Sequence, residues 1–149
     1  MNRSVALSMQ ASMLVTCCYV SVSPEEGVIR YTNAGHNPPY LVSGANGDIS
    51  QLDSTDLLLG VPGFEDRDFK SARIDWSQGD VLALYSDGIT EATDSGGEMF
   101  DEDRLQQVLH QNRKKSAPEI KQAILESLIV FSGGNQQVDD VTLVVVRAL

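Results

Sequence analysis

Three acidic residues at the ends of two apolar runs form the strongest candidate for a chemical site in this sequence. Asp87 follows the run 81–85, and Asp139 and Asp140 precede the run 141–146. If the two runs are neighbouring antiparallel strands, the end of the first and the start of the second lie at the same sheet edge. Carboxylates brought together there repel one another unless a cation lies between them. The pattern therefore indicates a cation site, although each motif alone is also typical of an ordinary turn or a solvated strand end.

The chemistry of such a site follows from the kind of ligand that the two segments offer. Both segments carry carboxylates and neither contains His or Cys, which favours Mg²⁺ or Mn²⁺ over Zn²⁺. A divalent ion held in this way can bind a water molecule and activate it for attack on a phosphate ester. Hydrolysis of a phosphate ester is therefore one function compatible with the three acids.

The elements that would position these acids follow from periodicity and turn signals. The predicted strands cover residues 13–22, 28–33, 40–42, 49–52, 68–76, 81–85 and 141–148, and helical spacing covers residues 2–10. Two more helices are predicted before the last strand, one with Asp101 as N-cap and one that opens with the capping box Ser116–Glu119 and ends at Gly133 and Gly134. The last strand is apolar on both faces, which predicts a central place in its sheet. This order of elements is typical of an α+β fold.

Net charge and cysteine content limit which binding partners and which cellular compartment we expect. The net charge of −10 argues against a nucleic-acid partner, because phosphate backbones are bound by clustered Lys and Arg, and against an anionic membrane surface. No apolar run approaches the roughly 20 residues of a membrane span. Cys17 and Cys18 are adjacent and would point to opposite faces of a strand, so no disulfide between them is expected. We predict reduced thiols in a cytoplasmic protein.

Three segments together resemble a known family. They are SDGITEA at residues 86–92, DDVT at residues 139–142 and YTNAGHNPPYLV at residues 31–42. The resemblance is to the metal-dependent PPM (type 2C) serine/threonine phosphatases, and more closely to their bacterial branch of sporulation stage II protein E and the stress-response sigma-factor phosphatases. It extends over residues 13–147. The order of AGHNPP before SDGITEA makes the signature more specific than either motif alone.

The resemblance implies a fold of two stacked antiparallel sheets flanked by helices, with two Mn²⁺ or Mg²⁺ ions at one end. In that scheme Asp87 and Asp139 would be metal ligands, Asp140 would be a further candidate ligand, and Gly88 would keep the turn tight. The loop that contains His36 would lie near the metal edge, and His36 would act in catalysis or metal binding, or else hold its loop by a hydrogen bond.

The implied substrate is a phosphoserine or phosphothreonine protein, by analogy with the bacterial branch a STAS-type anti-anti-sigma factor. The family begins with strands that carry a GD-x-x-D motif, whose Asp bridges the two metals, and no Asp precedes Met13 here. We therefore expect residues 1–149 to be a single phosphatase domain that lacks its N-terminal third. Missing strands would leave an unpaired sheet edge, which leads either to a homodimer or to instability. The alternative is a catalytically incomplete, phosphatase-like module that acts in protein–protein interaction.

Overall fold

The computed structural model of the protein describes residues 14–133 and 140–149, so the helix predicted over residues 2–10 and the position of Asp139 lie outside the described residues. The described strands are β1 (Cys17–Ser23), β2 (Val28–Ala34), β3 (Tyr40–Val42), β4 (Ile49–Gln51), β5 (Ala72–Asp75), β6 (Val81–Tyr85) and β7 (Leu143–Arg147). The described helices are α1 (Asp87–Thr90), α2 (Asp101–Asn112) and α3 (Ala117–Ser132). The chain divides into two compact units, one within residues 1–38 and 52–76 and the other within residues 39–51 and 77–149.

The first unit contains an antiparallel sheet in the order β1-β2-β5. Its hairpin between β1 and β2 turns at Gly27, whose φ of 61° lies in the left-handed region that favours glycine. The strand predicted over residues 13–22 begins later than expected, because Val15 only makes an isolated bridge with Leu59 and the regular pairing starts at Cys17. Both Cys17 and Cys18 are free thiols, as predicted.

The carboxylate of Asp56 ties together the two ends of the long connection from β4 to β5. This carboxylate accepts the backbone N–H groups of Lys70 at 3.0 Å and Leu57 at 2.8 Å, and it pairs with the guanidinium of Arg67. These interactions, the Lys70 N–H first among them, lower the pKa of Asp56 to about 2. The charged form of Asp56 is therefore the form that holds the connection in place.

We expect the stability of the protein to fall in acid partly through Asp56. Because its folded-state pKa of about 2 is below the ordinary value of 3.8, the contribution is complete above about pH 4. It is lost as the pH falls through the window from about 4 to about 2. Urea unfolding at several pH values should show a shallower acid loss for Asp56→Asn than for wild type. Arg67→Met keeps both backbone donors and should retain most of the slope, and an unchanged slope in Asp56→Asn would contradict the assignment.

The second unit contains an antiparallel sheet in the order β4-β3-β6-β7. Apolar side chains from β3 and β6 pack with those of α2 and α3 in one buried cluster. Its fully buried members include Tyr40, Val42, Ala83, Ile89, Phe100, Leu105, Leu109, Ile120, Ile124 and Leu128. The two antiparallel sheets with helices that the resemblance implied are therefore present.

The position of β7 corrects one prediction. Within the sheet that the structure describes, β7 pairs only with β6 and is an edge strand, not a central one. Leu143 and Val145 pack against the buried cluster, whereas Val144 on the other face is 48% exposed. Apolar residues on both faces predict a central strand, and for this strand, as described, the prediction is wrong.

The capping signals predicted one helix start correctly and the other one residue off. The helix α2 begins at Asp101 with Phe100 as its N-cap residue, so the prediction of Asp101 as N-cap was wrong by one position, although the Asp101 carboxylate accepts the N–H of Arg104 at 3.0 Å. Ser116 and Glu119 form the predicted capping box at the start of α3. Gly133 ends that helix with a φ of 61°. None of the helices within the described ranges has both the length and the apolar character that crossing a membrane requires.

Candidate functional site

The pairing of β6 with β7 brings the predicted acidic segments to one sheet edge. The two strands are antiparallel, with Tyr85 opposite Leu143, so the end of β6 lies beside the start of β7. Asp87 follows β6 by two residues and Asp140 precedes β7 by three. The expectation that these strands are antiparallel neighbours is confirmed. Asp139 lies outside the described residues, and its role stays a prediction.

Asp87 occupies an exposed position on a well-anchored turn. It is the first residue of α1, and its backbone oxygen accepts the N–H of Glu91 at 2.8 Å and the hydroxyl of Thr90 at 3.3 Å. The neighbouring Ile89 is fully buried in the apolar cluster, which ties the short helix to the core. The carboxylate of Asp87 is thus presented to solvent from a rigid support.

Gly88 is buried within α1. It is not among the described glycines with a left-handed backbone, so the turn after β6 is made with ordinary helical geometry. A tight turn at this position therefore does not depend on the special φ range of glycine. The part that Gly88 plays in metal binding stays a prediction.

Ser86 joins the two strand ends through its hydroxyl. Its Oγ donates to the backbone oxygen of Asp140 at 3.0 Å and accepts the N–H of Thr142 at 2.9 Å. Its backbone N–H donates to the carbonyl of Thr142 at 3.1 Å. Ser86 is not among the predicted site residues, because its only signal in the sequence is a small hydroxyl residue at a strand end, directly before an acid.

Aromatic packing anchors the end of β6 in the core. The rings of Tyr40 and Tyr85 stack at 5.5 Å with planes 7° apart, and the hydroxyl of Tyr40 accepts the side-chain amides of Gln51 and Gln106, each at 3.2 Å. Burial, together with the hydrogen bond to Tyr40, raises the pKa of Tyr85 well above its usual range. Tyr85 is therefore a neutral, hydrogen-bonded member of the core directly before Ser86.

His36 lies in the first unit, in the turn that follows β2. Its Nδ1 is 3.1 Å from the hydroxyl of Thr16. The buried amide of Asn33 accepts the N–H of His36 at 2.9 Å and donates to its carbonyl oxygen at 3.0 Å. These contacts match the loop-fixing interpretation of His36, and its predicted catalytic or metal role stays a prediction.

The donors at the β6–β7 edge agree in kind with a hard divalent cation. Asp87 and Asp140 are both exposed there and both offer carboxylate oxygens, the ligands that Mg²⁺ and Mn²⁺ prefer. Within residues 14–133 and 140–149, no group of three or more His, Cys, Asp and Glu side chains is arranged to hold a metal. The described part of the edge therefore offers the type of oxygen donor that such an ion takes, and the binding of a metal there stays a prediction.

Comparison with known proteins agrees with this fold. The chain matches the family Stage II sporulation protein E (SpoIIE) over residues 1–149. It is 31% identical over 147 residues to the phosphoserine phosphatase RsbU of Bacillus subtilis, covering 99% of this chain and 43% of that protein. The chain thus spans less than half the length of this curated relative.

Two solved structures share the fold. The SiaA-PP2C domain of Pseudomonas aeruginosa superposes with a TM-score of 0.78 at 19% identity, covering 95% of this chain and 57% of that one. The Mn-presoaked phosphatase domain of SpoIIE from Bacillus subtilis gives a TM-score of 0.66 at 19% identity, covering 89% of this chain and 56% of that one. With the full-length family match and the paired strand ends, these likenesses agree with the resemblance seen in the three sequence motifs. The chain belongs to the stage II sporulation protein E (SpoIIE) family, whose phosphatase domain has the PP2C-type fold.

Proposed function

We propose that this chain is part of a metal-dependent protein phosphatase that hydrolyses phosphoserine or phosphothreonine. The observation that carries the proposal is the shared edge of β6 and β7, where Asp87 follows one strand and Asp140 precedes the other. The name of the relative RsbU, a phosphoserine phosphatase, supports the same class of reaction. We assign residues 1–149 to one phosphatase-type domain in this proposal.

The residues that would hold Mn²⁺ or Mg²⁺ are Asp87, Asp139 and Asp140, with Gly88 beside them. When bound, such an ion supplies a coordinated water of lowered pKa for attack on a phosphate ester. Asp87 would act as a carboxylate ligand from the rigid turn of α1, and Asp140 would be held against the end of β6 by Ser86. His36 would keep its loop in place through Thr16 and Asn33 or would contact the reacting groups directly.

The substrate that we propose is a serine-phosphorylated regulatory protein of the STAS-type anti-anti-sigma class, and the compartment is the cytoplasm. Family resemblance motivates the partner, and RsbU as a phosphoserine phosphatase supports phosphoserine as the group removed. The free cysteines agree with a reducing compartment. The open outer side of β7 in the described sheet supports a homodimer as the proposed assembly.

The proposed function predicts strict dependence on a divalent cation. Full-length protein should release phosphate from a serine-phosphorylated STAS protein in Mn²⁺, and an excess of EDTA should reduce the rate by about 100-fold or more, because such an ion would supply the activated water. Restoring Mn²⁺ should restore the rate. A phosphotyrosine peptide serves as the substrate control. Release that continues unchanged in EDTA would overturn the proposal.

A second candidate function is a catalytically incomplete module that binds a regulatory protein. It is favoured by one observation: the described residues hold no group of three or more potential metal ligands. Calorimetry with Mn²⁺ separates the two candidates. Tight binding that depends on Asp87 favours the phosphatase, whereas binding of the STAS protein without any affinity for Mn²⁺ favours the interaction module.

A further inference from the structure

The side chain of Ser86 is used in an unusual way for its position. Ser86 is the N-cap residue of α1, with φ −91° and ψ 161°, and a serine there ordinarily accepts an N–H from the first turn of its own helix. No such side-chain bond is made. At the start of α3, by contrast, Ser116 enters a capping box with Glu119. The hydroxyl of Ser86 is therefore directed away from its helix.

The hydroxyl instead extends the pairing of β6 and β7 beyond the last residues of the sheet. The regular register ends at Tyr85 opposite Leu143. Past that point, Ser86 Oγ donates to Asp140 O at 3.0 Å and accepts Thr142 N–H at 2.9 Å. The Ser86 hydroxyl thus bonds one acceptor and one donor of the segment that leads into β7. The next residue after Ser86 in the sequence is Asp87.

We propose that Ser86 is a positioning residue that sets the separation between the carboxylates of Asp87 and Asp140 before any cation binds. This inference rests on the proposed phosphatase function. Metal ligands must lie within a few tenths of an ångström of their preferred distances, and groups that orient ligands typically change metal affinity by 10- to 100-fold when they are removed. Ser86 has the place and the bonds of such a group.

The experiment compares Mn²⁺ affinity, measured by calorimetry on the full-length protein, with the thermal midpoint measured in EDTA. Ser86→Ala removes both hydrogen bonds and should weaken Mn²⁺ binding by about 10-fold or more. Ser86→Thr keeps the hydroxyl and should bind Mn²⁺ like wild type. Ser86→Cys has only a weak donor and acceptor and should lie between them, which provides a graded series if the alanine variant folds poorly.

The matched control is Ser116→Ala, which removes the other N-cap serine described here. It should lower the thermal midpoint, because the capping box is lost, and it should leave Mn²⁺ affinity unchanged. Equal weakening of Mn²⁺ binding by Ser86→Ala and Ser116→Ala would overturn the inference, since the effect would then follow general stability. If Ser86→Ala binds Mn²⁺ like wild type and Asp87→Asn has lost Mn²⁺ binding, the positioning role of Ser86 is overturned and the proposed function is not. No Mn²⁺ binding by wild type would overturn both the inference and the proposed function.

Discussion

Asp87→Asn is expected to reduce Mn²⁺-dependent phosphate release by about 100-fold or more, the largest effect on activity that we predict. The substitution keeps the size of the side chain but removes the negative charge and one carboxylate oxygen. Even residues that only orient metal ligands change affinity by about 10- to 100-fold, so loss of a proposed ligand should cost at least the upper end of that range. Stability should change little, because the carboxylate is exposed and α1 is anchored through its backbone and Ile89.

Asp48→Asn is the matched control for Asp87. Asp48 lies in the turn between β3 and β4 and precedes Ile49, which is opposite Val42, and Val42 in turn is opposite Val81 at the start of β6. It therefore lies at the opposite end of the sheet from Asp87, and the same change of charge there should leave phosphate release near the wild-type rate. Measurements of release across a Mn²⁺ titration would decide the matter: equal activity in wild type and Asp87→Asn would remove Asp87 from the site.

Gly44→Ala is expected to destabilise the protein by about 3 kcal/mol, near the upper end of typical overpacking costs. A Cβ at position 44 would lie 2.5 Å from the carbonyl oxygen of Gly79 and 2.7 Å from its Cα. Both are backbone atoms, so no side-chain rotation can relieve the contact. The shift would also disturb the bond from Gly44 N–H to the buried carboxylate of Asp80, whose other oxygen accepts Ser77 N–H.

Gly96→Ala is the control for Gly44→Ala. A Cβ at position 96 would meet the carboxylate of Asp94 at 3.2 Å. This partly buried side chain, which accepts the N–H groups of Gly96 and Glu98, has to move by only a few tenths of an ångström. Neither Gly44 nor Gly96 has a positive φ, so backbone strain does not separate the two variants. Urea unfolding should show a large loss of midpoint for Gly44→Ala and a small change for Gly96→Ala. Similar midpoints for both would show that the turn around Gly44 yields easily.

Local signals in the sequence predicted most of the regular elements. The short apolar run 81–85 became β6, the capping box at Ser116 opened α3, and Gly133 closed it. These predictions succeeded because strand propensity and helix capping depend on neighbouring residues. Strand ends were less accurate: the strand predicted over residues 68–76 is regular only over Ala72–Asp75. It pairs with β2 only as far as Tyr31, because beyond that point the carbonyl of Asn33 in β2 accepts the N–H groups of Thr55 and Asp56 instead.

The features of the candidate site were also predicted only in part from the sequence. The position of Asp87 directly after an apolar run was visible in the sequence, and so was the type of ligand at Asp139 and Asp140. The edge position of β7 was not visible, because apolar residues on both faces do not reveal how many neighbours a strand has. The loop-fixing bonds of His36 to Thr16 and Asn33 join residues that are up to 20 positions apart.

By itself, the amino-acid sequence determined the kinds of element, the family and the chemical nature of the acids beside the two apolar runs. Only the tertiary structure decided that β6 and β7 are neighbours and that the hydroxyl of Ser86 bridges to Asp140, 54 residues along the chain. The physical reason is that helix capping and strand propensity depend on a few neighbouring residues. A hydrogen bond between distant segments, in contrast, forms only when the strands of the sheet are paired in their final register.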